Sequence, residues 1–185
     1  MNEGGELGYS LAHAFGAVFD NPALIAAVDL LRRYLPALRI QVLNVVDLMA
    51  LQTQDQHPHS LSEVAFDTLF TGDKPVIFAF HGYPSLVHRL TYLRNNHQNF
   101  HVRGFMEEGT TATPFDMTVL NGLDRFHLAQ EALLHVPSLQ GNVEDILDAL
   151  QQKIAAHHHY VREYGEDLPE IQNGKWPSRQ GEGAV

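Results

Sequence analysis

A chain of 185 residues with 44% hydrophobic and 18% charged content has the length and balance of one globular domain, and not of a disordered or fibrous protein. Its formal charge of −10 argues against DNA or RNA as a partner, because affinity for a phosphate backbone comes from lysine and arginine. The absence of cysteine excludes disulfides, thiolate metal sites and cysteine nucleophiles, leaving twelve histidines as the main soft ligands. No apolar run approaches the ~20 residues that span a bilayer. Residues 1–6 lack the basic start and apolar centre of a signal peptide, so no membrane and a cytoplasmic location are expected.

The chain opens on a segment that reads as helical. Ser10 suits an N-cap, and Leu11, Phe15, Val18 and Phe19 share one helical face. Asn21-Pro22 closes this helix and starts a second, whose Leu24, Ile25, Val28, Leu31 and Leu35 keep helical spacing up to Pro36. Residues 38–46 alternate at first and then turn wholly apolar, which predicts a strand entering a sheet covered on both faces. After a polar loop, Ser60-Leu61-Ser62-Glu63 fits a capping box, opening a helix that ends near Gly72.

The apolar run 74–80 is too short for a helix and predicts a buried parallel strand. His81-Gly82-Tyr83-Pro84 breaks it. A helix over 85–94, a strand over 100–106, the loop 107–114 and helices over 115–120, 125–134 and 143–164 follow, then a tail rich in glycine, proline and charge that should be mobile. Strands alternating with helices predict an α/β three-layer sandwich with a mainly parallel sheet. Ligands in such folds sit beyond the carboxyl ends of the strands.

Those ends supply the candidate ligand-binding residues. One group is His81, Gly82 and Tyr83; the other is Arg103 with Glu107, Glu108, Thr110, Thr111 and Thr113, a cation beside hydroxyls and backbone donors that can nest a phosphate or carboxylate. The plainer alternatives are that His81 is satisfied by backbone groups, that Arg103 pairs with a glutamate, and that the threonines cap the next helix. His57 and His59, near Asp55, could hold zinc weakly, although a surface loop is the simpler reading. His157, His158 and His159 project about 100° apart on a helix and cannot converge on one ion, which makes them a solvated face. No metal ligand and no catalytic residue is assigned.

Several ordered stretches resemble the C-terminal domain of phosphoketolases, relatives of transketolase. They are Asn44-Val45-Val46-Asp47-Leu48-Met49, the run from Val76 through His81-Gly82-Tyr83-Pro84, and the run from His101 to Thr111. Pro114-Phe115-Asp116-Met117, Leu123-Asp124-Arg125-Phe126-His127-Leu128 and Gly165-Glu166-Asp167-Leu168-Pro169-Glu170-Ile171 continue it. The resemblance covers residues 26–176 and implies a transketolase C-terminal type fold. It also implies a parent enzyme that uses thiamine diphosphate and magnesium to cleave xylulose 5-phosphate or fructose 6-phosphate with phosphate, giving acetyl phosphate. The domain matched is the third of that enzyme, which supports dimer packing, while the cofactor lies between the two preceding domains.

Residues 1–25 depart from this pattern. Gly4-Gly5-Glu6-Leu7-Gly8-Tyr9-Ser10 and Phe19-Asp20-Asn21-Pro22 resemble a stretch of the first phosphoketolase domain, just before the Gly-Asp-Gly whose aspartate holds magnesium. Here that stretch runs straight into Ala26-Ala27-Val28-Asp29, and the only Gly-Asp, Gly72-Asp73, is followed by Lys74. The expected organisation is a helical fragment over 1–25, an α/β domain over 26–176 and a tail over 177–185. The junction should remove the strand ahead of the helix ending near Leu35, leaving a sheet to be closed at an edge or by a partner. The implied function is a non-catalytic accessory domain that binds no cofactor itself and forms a homodimer or joins other phosphoketolase domains. The alternatives are one subunit of a split phosphoketolase and, further off, a hydrolase built on His81 and the acidic pair.

Overall fold

The computed structural model describes residues 22–106, 112–135 and 143–173, and the backbone of residues 8–14. In chain order the elements are β1 (Gly8–Ala14), α1 (Pro22–Tyr34), β2 (Arg39–Val45), α2 (Glu63–Phe70), β3 (Val76–Phe80), α3 (Pro84–Thr91) and β4 (Phe100–Gly104). Four helices complete it: α4 (Pro114–Leu120), α5 (Arg125–Leu134), α6 (Val143–Tyr164) and the short α7 (Pro169–Gln172). The strands form one parallel sheet in the order β2-β1-β3-β4.

Strand β3 is buried along its whole length, as its unbroken apolar run requires. Its side chains alternate between two cores. Ile77 and Ala79 join α1, α5 and α6 residues, among them Leu24, Leu31, Leu128, Leu133, Leu150 and Ile154. Val76, Phe78 and Phe80 join Phe66 and Phe70 of α2, Val87 and Leu90 of α3, and Phe100. Helices thus cover both faces of a parallel sheet, the expected α/β layering.

The N-terminal segment corrects the sequence reading. Gly8–Ala14 is a strand, not a helix, and it lies between β2 and β3 with Leu11 opposite both Val42 and Ile77. Four apolar positions at helical spacing are a weak local preference. A slot between two parallel strands pairs Ser10–Ala14 on both sides and Gly8 and Tyr9 on one, and this tertiary pairing of backbone groups overrides the periodicity. The strand expected to be lacking is therefore supplied by this same chain. The second predicted helix forms as α1, while Phe15, Val18 and Phe19 lie outside the described residues, as does the tail beyond residue 173.

Strand β2 is also corrected. Among the described residues it pairs only with β1 and so forms an edge, its residues are exposed or half-buried and none is buried, and Val42 remains 37% exposed; an apolar run alone did not distinguish an edge from a centre. Helix α2 begins two residues later than a cap at Ser60 implies. Ser62 is the N-cap, accepting from the Ala65 N–H at 3.2 Å, whereas the Ser60 hydroxyl donates to the Met49 carbonyl.

The strand over 100–106 ends early, at Gly104. A Cβ on Gly104 would stand 2.4 Å from the Gly82 carbonyl oxygen and 2.4 Å from Pro84 Cδ, so the end of β4 lies directly against the turn leading into α3. Beyond it the Phe105 N–H still reaches the Phe80 carbonyl at 3.1 Å, and the Met106 N–H is taken by the Asn121 side chain at 2.7 Å. None of the described helices is long and apolar enough to cross a membrane.

Candidate functional site

Strand alternation sends Phe100 and Val102 of β4 into the α2–α3 core and His101 and Arg103 to the opposite face, toward α5. Helix α5 is fixed at its start by buried Asp124, whose carboxylate accepts from the Phe126 N–H at 2.8 Å and the His127 N–H at 3.3 Å and also contacts His127 Nδ1. Its apolar stripe of Phe126, Leu128, Ala129, Ala132 and Leu133 seats it in the α1 side of the core. Glu131 and His135, one turn apart, are thereby turned toward β4.

Two contacts join the elements and a third lies within the helix end. The Arg103 guanidinium donates to Glu131 Oε2. His135 Nε2 lies 3.3 Å from Glu131 Oε1. The rings of His101 and His135 stack with centroids 3.4 Å apart and an interplanar angle of 16°. Burial disfavours the charged imidazole of His101 most strongly, and His135, Arg103 and His88 add to this against the pull of Glu131, so the ring is held below its usual range. For Glu131 burial acts upward, but the hydrogen bond and charge of Arg103, with His135, outweigh it and hold the carboxyl below the usual range.

The sign of the pH effect follows. A histidine whose folded value lies below its unfolded 6.5 contributes fully above that pH and loses its contribution as the pH falls through the folded value; a depressed Glu131 does the same at lower pH. In metal-free buffer the urea midpoint should drop between about pH 7.5 and 5.5, and the drop should be smaller in His101→Gln. An equal drop in both proteins would show that His101 does not carry it.

The two strand-end groups named from sequence are only partly assembled. His81 is exposed, with its ring stacked on Phe105 at 4.6 Å, and Tyr83 is 64% exposed. Gly82 sits where a Cβ would come within 2.6 Å of the Phe80 ring. Arg103 does pair with a glutamate, but the partner is Glu131 of α5. Thr113 caps α4, accepting from the Asp116 N–H at 3.3 Å, and its hydroxyl donates to Asp167. Glu107, Glu108, Thr110 and Thr111 lie outside the described residues. In the polar loop His57 Nδ1 accepts from the His59 N–H at 3.3 Å and the rings stand 5.7 Å apart.

The three consecutive histidines are not one solvated face. His157 is fully buried, edge-on to Phe115 at 4.9 Å, with Nε2 3.4 Å from Asp116 and 3.9 Å from Asp167, whereas His158 is partly exposed and His159 exposed. Their divergence on the helix holds, and it is this that sends one ring inward beside Ile154 and Leu150 while its neighbours stay outside.

The sequence reading missed two constellations. One is the His101, Glu131 and His135 group, legible in principle from the two-residue alternation of β4 and the four-residue spacing on α5. The other is Arg94, buried beneath the loop that follows β2. Its Nε donates to the Leu51 carbonyl at 2.9 Å, one terminal nitrogen reaches Glu63 at 2.7 Å, and the other reaches the carbonyls of Leu61 at 2.8 Å and of Gln52. The guanidinium also lies 4.2 Å over the Phe66 ring.

Comparison with known proteins places the chain in a family. The XFP C-terminal domain family matches residues 14–176. A protein named probable phosphoketolase from Bradyrhizobium diazoefficiens is 62% identical over 164 residues, 88% of this chain and 20% of that protein. Its namesake in Brucella abortus is 60% identical over 152 residues, 82% of this chain and 19% of that one. Probable phosphoketolase 2 of Nostoc sp. is 54% identical over 160 residues, 85% and 20% of the respective chains. The chain belongs to the XFP C-terminal domain family, and it spans about a fifth of the length of the curated relatives it matches.

Proposed function

We propose that this chain is a non-catalytic phosphoketolase module, which contributes to assembly and depends on separate domains for any thiamine diphosphate chemistry. The observation that carries the reading is the match to the C-terminal domain across residues 14–176. The residues present also do not fit a magnesium-bound diphosphate. Asp73 of the only Gly-Asp lies in the turn ahead of β3, exposed and paired with Lys74 at 3.0 Å, whereas magnesium needs a nearly octahedral oxygen set in fixed places. Without the cofactor the protein has no means of running the difficult step, because a protein supplies position and tuning while the cofactor carries the chemistry.

An assembly role is supported by the outer edge of β2, which no other strand pairs among the described residues; β2 carries exposed Val42, and exposed Val46 follows its end. Such an edge is a template for another chain. The partner is a second copy or another phosphoketolase domain. An effector anion at the strand ends is less favoured, since Glu131 already engages the Arg103 guanidinium.

Purified chain supplied with thiamine diphosphate, magnesium, phosphate and xylulose 5-phosphate should form no acetyl phosphate. Formation by the chain alone would overturn the proposal. Recovery only on adding a separately expressed cofactor-binding chain would show a subunit of a split enzyme.

A further inference from the structure

We propose that His101 of β4, Glu131 of α5 and His135, which caps the C-terminal end of α5, form a binding site for a late first-row transition-metal dication, of which zinc is the representative. These residues each offer a ligand atom, and the three atoms lie within 4.8 Å of one another. All three side chains are half-buried, so the donors are shielded on the protein side and reachable from solvent.

The donor set selects the cation. Two imidazoles and one carboxylate suit zinc, nickel or copper, whereas magnesium and calcium take oxygen ligands. Three protein ligands also leave a fourth tetrahedral position for water or an exogenous ligand. Zinc bonds of 2.0–2.2 Å place tetrahedral ligand atoms roughly 3.3 Å apart, and His135 Nε2 already stands 3.3 Å from Glu131 Oε1. The third ligand, His101, must turn out of its stack on His135 to present a ring nitrogen to the ion.

The surroundings fit the same role. Glu131 offers Oε1 toward His135 and gives Oε2 to Arg103, and a ligating carboxylate held by an outer partner is the usual construction around a bound metal. The Arg103 charge weakens the site by repulsion while keeping the carboxylate ionised and aimed. Two of the ligands stand on regular elements, His101 on a sheet strand and Glu131 on a helix capped by Asp124, and His135 closes that helix. Metal binding here does not depend on the accessory-module reading.

The test is isothermal titration of the untagged full chain with zinc chloride, with magnesium chloride as the contrast. One zinc per chain should bind, with no heat attributable to magnesium. His101→Ala and His135→Ala should each weaken zinc by more than about tenfold, while His158→Ala/His159→Ala should leave it within about twofold. Glu131→Gln, which keeps the side-chain shape, covers the case in which a histidine variant fails to fold by far-ultraviolet circular dichroism; it should weaken zinc similarly. Cobalt should give the intense visible absorption of a tetrahedral site in the parent chain and lose it in Glu131→Gln. No zinc uptake, or uptake unchanged in the folded His101, Glu131 and His135 variants, would overturn the site.

Discussion

Arg94→Met should cost about 3–5 kcal/mol of folding stability, the range for breaking a buried, hydrogen-bonded charge network. The methionine keeps most of the stem volume but takes the guanidinium from over the Phe66 ring, so the loss combines that contact with the hydrogen bonds. Removing it strands the Leu51, Leu61 and Gln52 carbonyls, and an unsatisfied buried acceptor costs about 1–3 kcal/mol. Glu63 adds less, because its side chain is 49% exposed and can turn to water. Domains of this kind have only about 5–15 kcal/mol in hand, so the variant should be marginal at room temperature.

Arg94→Lys should recover less than half of the loss. One ammonium cannot reproduce a planar fork that meets carbonyls on one side and a carboxylate on another. Urea unfolding followed by circular dichroism reads both variants. An Arg94→Met midpoint within error of the parent would mean that the loop over residues 48–61 does not depend on this residue. The effect should be local in origin as well, since the same guanidinium joins the residues after β2 to the start of α2 and the end of α3.

Much of the fold was legible because strong local signals and tertiary demands agreed. The run Val76 to Phe80 is apolar at every position and too short for a helix, and a strand between two helical layers uses such a run on both faces. The helices Arg125–Leu134 and Val143–Tyr164 form over the residues expected, since their apolar stripes face a core and Asp124 caps the first. Where the two demands diverged, sequence periodicity lost. Leu11 reads as part of a helical stripe, yet the backbone around it completes a sheet.

The candidate site was less legible for a different reason. Arg103 and His101 share a strand face through two-residue alternation, but their partners Glu131 and His135 are about thirty residues further along. No local pattern carries that distance. Arg94 was read only as a helix end, because nothing in the neighbouring residues states that a loop some forty residues earlier would bring its carbonyls there. His157 had an internal clue, since it follows Ile146, Leu150 and Ile154 at helical spacing and so belongs to the buried stripe.

Ala12→Pro should disrupt the sheet by more than about 3 kcal/mol, the scale set by proline where it removes a needed donor and clashes with its surroundings. Ala12 lies opposite Leu43 on one side and Phe78 on the other, so the middle of β1 has no free edge on which proline is tolerated. The consequence reaches β2 most directly, because β1 is its only strand neighbour among the described residues. Amide hydrogen exchange should therefore show Arg39–Val45 losing protection in the variant before α5 and α6 lose theirs. If residues 8–14 were instead a surface helix, the same substitution would destabilise that helix alone and leave β2 amides as they were. Exchange at β2 thus decides between a strand that completes the sheet and a helix that merely covers it, and unchanged protection there would exclude the order β2-β1-β3-β4.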